Sequence, residues 1–407
     1  MNLFRNPRAH ADRRYGDKQH GVLDPQSAEA ARHEILSWPQ YRETPLLSLP
    51  GLAARMGVAE LHYKDESGRF GLGSFKGLGG AYAVYRCIAE AVAARTGNTV
   101  ITAADLAGGK YRDLTSNITV CCATDGNHGR SVAWGAQIFG CACVIYIHEK
   151  VSRGREAVIS RYGAEVVRTR GNYDDSVRHA ATDAAAKGWI VVSDTSYKDY
   201  TAITRDVMHG YTVMVDEVIG TLAGKVLPTH VFVQGGVGGL AAAVCARLWW
   251  EYEERRPLFV VVEPERADAL FESARAGKRV ELTGDIDTVM ACLSCAETSL
   301  LAWEMLADGA DFFMTIPDTA AVEMMRRLAA GTDGDSPIVA GESGVAGLAG
   351  VFAAVADASA ARSLGLDAGA RVLVFGTEGD TDPELYQKLV GRSAEDVRAV
   401  SAASVPR

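Results

Sequence analysis

Along most of the chain, short runs of β-branched and aromatic residues alternate with longer stretches of helical periodicity. The runs ELHYK (60–64), ITVCCA (118–123), CVIYIH (143–148), EVVRT (165–169), IVVSD (190–194), HVFVQ (230–234), LFVVVE (258–263), DFFMTI (311–316) and RVLVFG (371–376) read as strands. Amphipathic or alanine-rich stretches at 76–94, 127–139, 172–187, 201–222, 237–253, 318–330 and 344–360 read as helices. The alternation predicts an α/β chain built on open, mostly parallel sheets flanked by helices. The stretch 97–117 is polar and punctuated and reads as a connecting loop. Four closely spaced strand–helix repeats follow it and end near Asp194. The pattern thus divides into a small lobe over 97–199 and a large lobe from 1–96 and 200–407. A length of 407 residues suits two such lobes better than one core. GTDGDS (331–336) reads as a loop, and 391–407 as a loosely held tail.

Charge and composition narrow the function. A net charge of -9 argues against a nucleic-acid surface, which needs clustered lysine and arginine. No segment reaches the roughly 18 apolar residues of a membrane helix. The basic start MNLFRNPRAHADRRYGDKQ lacks the apolar stretch of a secretory signal, so a cytoplasmic enzyme is expected. Most of the eight cysteines lie in apolar runs such as VCCAT and CACVIYI, where cysteine acts as a small buried hydrophobe. Cys292 and Cys295 form a C-x-x-C, which supplies too few ligands for a structural zinc; no metal is expected.

Four glycine-bearing strings follow predicted strands. Gly71-Leu72-Gly73-Ser74-Phe75-Lys76-Gly77-Leu78-Gly79-Gly80 opens a long helix and sets Lys76 among backbone N–H groups; it lacks Walker A spacing. Thr124-Asp125-Gly126-Asn127-His128-Gly129 precedes another helix, with Asp125 and Asn127 as good N-cap types. Gln234-Gly235-Gly236-Val237-Gly238-Gly239 has four glycines in five residues at a helix start, an arrangement that cradles phosphate. It lacks G-x-G-x-x-G spacing, but Glu263 at the end of the next strand keeps a dinucleotide site as an alternative. Gly376-Thr377-Glu378-Gly379-Asp380-Thr381 places hydroxyls at a fourth strand end. Each string alone is an ordinary strand-to-helix turn. Together, at the carboxyl ends of strands, they supply the lysine, phosphate cradle and polar ring contacts that pyridoxal phosphate requires.

On these strings, from S-F-K-G at 74–77 to T-E-G-D at 377–380, the chain resembles the fold-type II pyridoxal-phosphate enzymes, the tryptophan synthase β-subunit-like superfamily. Within it, TDGNHG is similar to the diaminopropionate ammonia-lyases, because dehydratases and racemases usually carry serine where Asp125 stands. SDTSYKDYT (193–201), VVEPERAD (261–268), GESGVAGL (341–348) and TEGDTD (377–382) extend the likeness. The resemblance implies that Lys76 carries pyridoxal 5'-phosphate as an imine and that Phe75 lies against its ring. It implies that Asn127 bonds the ring's phenolic oxygen and that Gly235, Gly236, Val237, Gly238 and Gly239 bind the phosphate. Thr377, or else Thr381, contacts the ring nitrogen. A homodimer acting on a small amino acid is implied as well. Two departures stand out: Ser196-Tyr197 where relatives often have Ala-Trp, and Ala269 where they often have cysteine, which rules out a cross-link from Cys295 to that position.

The implied chemistry is loss of a β-substituent. Released from the imine, Lys76 is a base for the Cα proton on the L-face. Asp125 either takes the proton from the opposite face or binds a β-ammonium, and Asp194 is its partner. Two carboxylates suit a substrate with an extra ammonium better than one with a hydroxyl. The expected reaction therefore converts 2,3-diaminopropionate to pyruvate and ammonia through aminoacrylate. The alternatives are a dehydratase or β-replacement enzyme on serine or threonine, a catalytically silent binding protein, and a dinucleotide oxidoreductase. His128 is expected to be structural, and Lys64, Asp65 and Glu66 to form a surface or lobe-contact cluster.

Overall fold

The computed structural model describes residues 1–9, 14–124, 126–171 and 173–404. Two compact units emerge. The first comprises Met1–Pro25, Glu43–Ser74 and Met214–Arg407, and the second Gln26–Arg42 and Phe75–Val213.

The first unit is built on β1 (Asn2–Arg5), β2 (Leu46–Ser48), β3 (Glu60–Asp65), β8 (His230–Gln234), β9 (Leu258–Pro264), β10 (Phe312–Ile316) and β11 (Arg371–Gly376). They form one seven-stranded sheet in the order β1-β10-β9-β8-β11-β3-β2. The five strands from β10 to β3 run parallel, and β1 and β2 close the edges antiparallel. Every residue of β8 and β10 is buried, as expected of parallel strands covered on both faces. β1 and β2 were not visible in the hydrophobic pattern, because four and three residues with partly exposed faces make too short a run.

The second unit holds β4 (Thr119–Ala123), β5 (Ala142–His148), β6 (Glu165–Thr169) and β7 (Ile190–Val191) in a parallel sheet ordered β6-β5-β4-β7. Its two central helices, Gly77–Thr96 and Asn127–Phe139, meet through small residues. A Cβ on Gly80 would collide with Ser131 Oγ, and one on Gly135 would come within 2.8 Å of Ala81 Cα. Through this contact the helix after Lys76 belongs with the second unit, which begins its long segment at Phe75.

Three local expectations change. The stretch 97–117 contains two short helices, Ala103–Ala107 and Arg112–Thr115, with Ile101 and Leu106 buried; four or five residues are too few to show a period. The stretch 344–360 divides at Asp357, whose carboxylate accepts from Ser359 and Ala360 N–H and starts a second helix. Residues Ala394–Ser404 of the expected tail are helical, with Val397 fully buried.

Candidate active site

In the second unit, Phe75 and Lys76 lead into the helix Gly77–Thr96. A Cβ on Gly79 would approach Val207 O to 2.6 Å, so glycine there lets the helix Ala202–Thr221 come close and bring Tyr211 to the lysine. Lys76 Nζ lies 5.4 Å from the Phe75 ring centroid and 5.8 Å from that of Tyr211, and the two rings are 4.7 Å apart. The same ammonium donates to Asp194 Oδ2 at 2.5 Å. Burial alone would raise the Asp194 carboxyl, but the Lys76 ammonium and His128 outweigh it and hold it well below the usual carboxylate range.

Asp194 is aimed by an unusual segment. The predicted strand 190–194 is in register with β4 at Ile190 and Val191, and Val192 N–H still donates to Cys121 O at 2.8 Å; beyond that, side chains hold the backbone. Tyr200 OH donates to Val191 O at 2.8 Å and accepts from Ser193 N–H at 2.9 Å. His128 Nε2 contacts Val192 O at 2.8 Å, and Thr204 Oγ1 donates to Ser193 O at 3.2 Å. His128 Nδ1 lies 3.7 Å from Asp194 Oδ2. Among the described residues it is buried without a hydrogen-bond partner, as are Tyr211 OH in this unit and Ser74 Oγ in the other. Asn127 is buried at the start of the helix Asn127–Phe139. Asp125 lies outside the described residues.

In the first unit, β8 runs into Gly235–Gly239 and the helix Gly239–Tyr252. Gly235 donates its N–H to Val262 O at 2.8 Å. The N–H groups of Gly236, Val237, Gly238 and Gly239 have no backbone acceptor among the described residues. Gly238 has φ +95°, a conformation that glycine adopts without strain. A Cβ on Gly236 would sit 3.2 Å from Cys292 O. The turn is therefore a bare concave row of N–H groups at a helix N-terminus, which fits a phosphate.

Gln234 organises the neighbouring strand end. Its Nε2 donates to Phe375 O (2.9 Å) and Gly344 O (3.2 Å) and lies 2.6 Å from Thr377 Oγ1. An amide nitrogen only donates, so the Thr377 hydroxyl hydrogen points elsewhere. Thr381 Oγ1 instead donates to Glu378 Oε2 at 3.4 Å. Gly379 N–H donates to Gly73 O at 2.9 Å, and Ser74 bridges to Glu378, tying the segment two residues before Lys76 to this loop. Glu263 accepts from Leu270 and Phe271 N–H at 2.9 and 2.7 Å, so it caps the helix Ala269–Ala276 and is not presented to a ribose. Cys292 Sγ donates to Glu378 Oε2 at 3.6 Å. No group of three metal-ligating side chains occurs among the described residues.

Of the expected surface or lobe-contact cluster, Lys64 and Glu66 are internal and Asp65 is half-buried. Lys64 and Glu66 are fully buried with Arg69 and Glu217. Arg69 makes paired bonds to both Glu66 oxygens, each 2.8 Å, and to both Glu217 oxygens, each 2.7 Å. Lys64 Nζ donates to Glu217 Oε2 and Thr44 O, each at 2.5 Å. β3 lies inside the sheet between β11 and β2, and the charges there neutralise one another.

The family description "Pyridoxal-phosphate dependent enzyme" matches residues 38–378. The chain belongs to the pyridoxal-phosphate-dependent enzymes. It is 38% identical over 376 residues to a diaminopropionate ammonia-lyase of Salmonella typhimurium, covering 89% of this chain and 93% of that protein. The crystal structure of the Escherichia coli diaminopropionate ammonia lyase with D-serine superposes with a TM-score of 0.87 at 35% identity, covering 98% of each chain. The same lyase with an aminoacrylate–pyridoxal-phosphate azomethine reaction intermediate gives 0.84 at 34% identity over 96% of each. The fold is thus the fold-type II architecture, and the cofactor of this family is pyridoxal phosphate. No described helix is long and apolar enough to cross a membrane. Tyr211, Gln234 and Tyr200 were missed as site residues. Gln234 stood within a glycine string but read as the end of a strand, Tyr200 stood within SDTSYKDYT with no role attached to it, and Tyr211 carried no local signal.

Proposed function

We propose that this chain is a 2,3-diaminopropionate ammonia-lyase, releasing pyruvate and ammonia through aminoacrylate. The observation that carries the reading is the half-buried Asp194 carboxylate, held ionised by Lys76. With Lys76 holding the cofactor and its ammonium withdrawn, Asp194 would keep a negative charge in a half-buried place. A substrate with a second ammonium replaces what Lys76 withdrew, and serine does not. When bound, the cofactor supplies an electron sink for the carbanion.

The chain's residues divide the remaining work. Lys76 Nζ accepts the Cα proton from one face, and Asp125 is assigned the opposite face or the β-ammonium. Gly236, Val237, Gly238 and Gly239 offer N–H groups to the phosphate, and Gly235 shapes the turn. Phe75 flanks the ring, and Asn127 donates to its phenolic oxygen. Thr377 rather than Thr381 donates to the ring nitrogen, because its hydroxyl hydrogen is not committed to Glu378. A neutral hydroxyl there, in place of a carboxylate, would suit elimination over transamination. By resemblance, the working form is a cytoplasmic homodimer, which light scattering checks for assembly.

The test is pyruvate and ammonia release from D- and L-diaminopropionate, serine and threonine by the purified enzyme. Diaminopropionate should be turned over fastest. Faster pyruvate release from serine would sink this reading in favour of a dehydratase.

A further inference from the structure

His128 stands on the side of Asp194 away from its hydrogen bond to Val192. Because Val192 O can only accept, Nε2 must carry the hydrogen, and neutral His128 therefore presents a bare lone pair at Nδ1. That atom is buried, unpartnered and 3.7 Å from Asp194 Oδ2, the oxygen that receives Lys76 Nζ at 2.5 Å. Asp194 thus has two cation positions, one filled by Lys76 and one vacant of charge.

We propose that His128 is the charge placeholder of Asp194: Nδ1 takes a proton from solvent when Lys76 withdraws its charge, and returns it when another cation reaches Asp194. The ring is already anchored through Nε2, so gaining the proton requires no rearrangement beyond closing 3.7 Å to a hydrogen bond. The ionisable groups around the Lys76–Asp194 pair, among the described residues, are His128, Tyr211 and Cys122. Burial pushes the Tyr211 phenol and the Cys122 thiol up, so neither carries charge near neutrality. His128 is lowered by burial, raised by Asp194 and lowered again by Lys76. Removing the Lys76 charge therefore leaves Asp194 as the dominant neighbour. The first half of the proposal rests on this geometry; the second rests on the diaminopropionate reading.

Proton NMR of the imidazole Cε1–H in the full-length, cofactor-free chain tests the first half, with the His128 signal assigned by its loss in His128→Gln. Its titration midpoint should rise by about one pH unit or more in Lys76→Ala, a tenfold or larger gain in proton affinity. Adding Asp194→Asn should reverse the rise. A midpoint in Lys76→Ala equal to or below that of wild type would overturn the proposal. Lys76→Gln gives the same comparison if circular dichroism shows Lys76→Ala misfolded.

In the loaded enzyme, KM for diaminopropionate should climb as pH falls, because protonated His128 competes with the substrate's ammonium. His128→Gln retains a donor for Val192 O and should flatten that climb, with the change falling on KM rather than kcat. An unchanged climb in the variant overturns the second half. No turnover of diaminopropionate at any pH would sink the substrate reading and leave the NMR comparison to decide His128.

Discussion

The Lys64–Glu66–Arg69–Glu217 cluster of the first unit is fully buried and the Lys76–Asp194–His128 cluster of the second half-buried; each contains a short charge-assisted bond, yet they are finished differently. In the first, two cations face two anions, Arg69 fills both carboxylates in paired geometry, and Thr44 Oγ1 donates to Glu66 at 2.5 Å. In the second, one carboxylate serves two bases, and His128 Nδ1 and Tyr211 OH are left without partners. A closed network holds the fold in one arrangement. An open one keeps a position for a group that comes and goes, at some cost in stability.

The sharpest break between them comes from Lys76. Lys76→Ala should lower elimination by on the order of 10³-fold or more and remove the visible imine band, while urea unfolding stays cooperative. In the closed cluster the loss should appear as stability instead. Glu217→Ala strands Lys64 and Arg69 and should cost about 3–5 kcal/mol in urea titrations, with the imine band retained in the folded fraction. A smaller effect falls on recognition. Asp194→Asn should raise KM for diaminopropionate roughly 10- to 100-fold and change KM for serine far less, as expected for one lost charge-assisted contact. Equal losses on both substrates would show that Asp194 does not read the β-ammonium.

The smallest effect is in pH. The buried His128 is lowered in the folded state, so between that lowered value and about 6.5 the unfolded chain binds more protons. Stability should therefore fall as pH drops below about 6.5, with a slope contribution below about 1.4 kcal/mol per pH unit. His230 is also lowered by burial and contributes in the same window, so His128→Gln should reduce the slope without abolishing it. Asp194 has the acid sign: its contribution is present above the ordinary carboxylate range and is lost as pH falls through its lowered value.

The four glycine strings were legible because each is a local event: a strand ends, a turn needs glycine, and a helix begins. The parallel strands were legible because burial on both faces leaves a continuous apolar run, as in HVFVQ and LFVVVE. Lys64 and Glu66 were misread because adjacent charges look solvated until Arg69 and Glu217 arrive from elsewhere in the chain. Asp194 was expected as a substrate-binding acid, but its neighbours Lys76 and His128 come from two helix starts and share no spacing with it. Strand 190–194 was overextended for a related reason. Its β-branched residues favour an extended backbone, and nothing local shows that Tyr200, His128 and Thr204 take over from the neighbouring strand.

The helix Ala394–Ser404 has a practical consequence. Val397 is sealed in the first unit, and Arg398 pairs with Asp380 in the loop that bears Thr377 and Thr381. Those residues act as a brace from outside the sheet, so a protease nick after Gly391 would be felt at Thr377 and Thr381 without touching them. Limited digestion would then register as weakened cofactor retention before any loss of the sheet, and affinity handles are better carried on another surface.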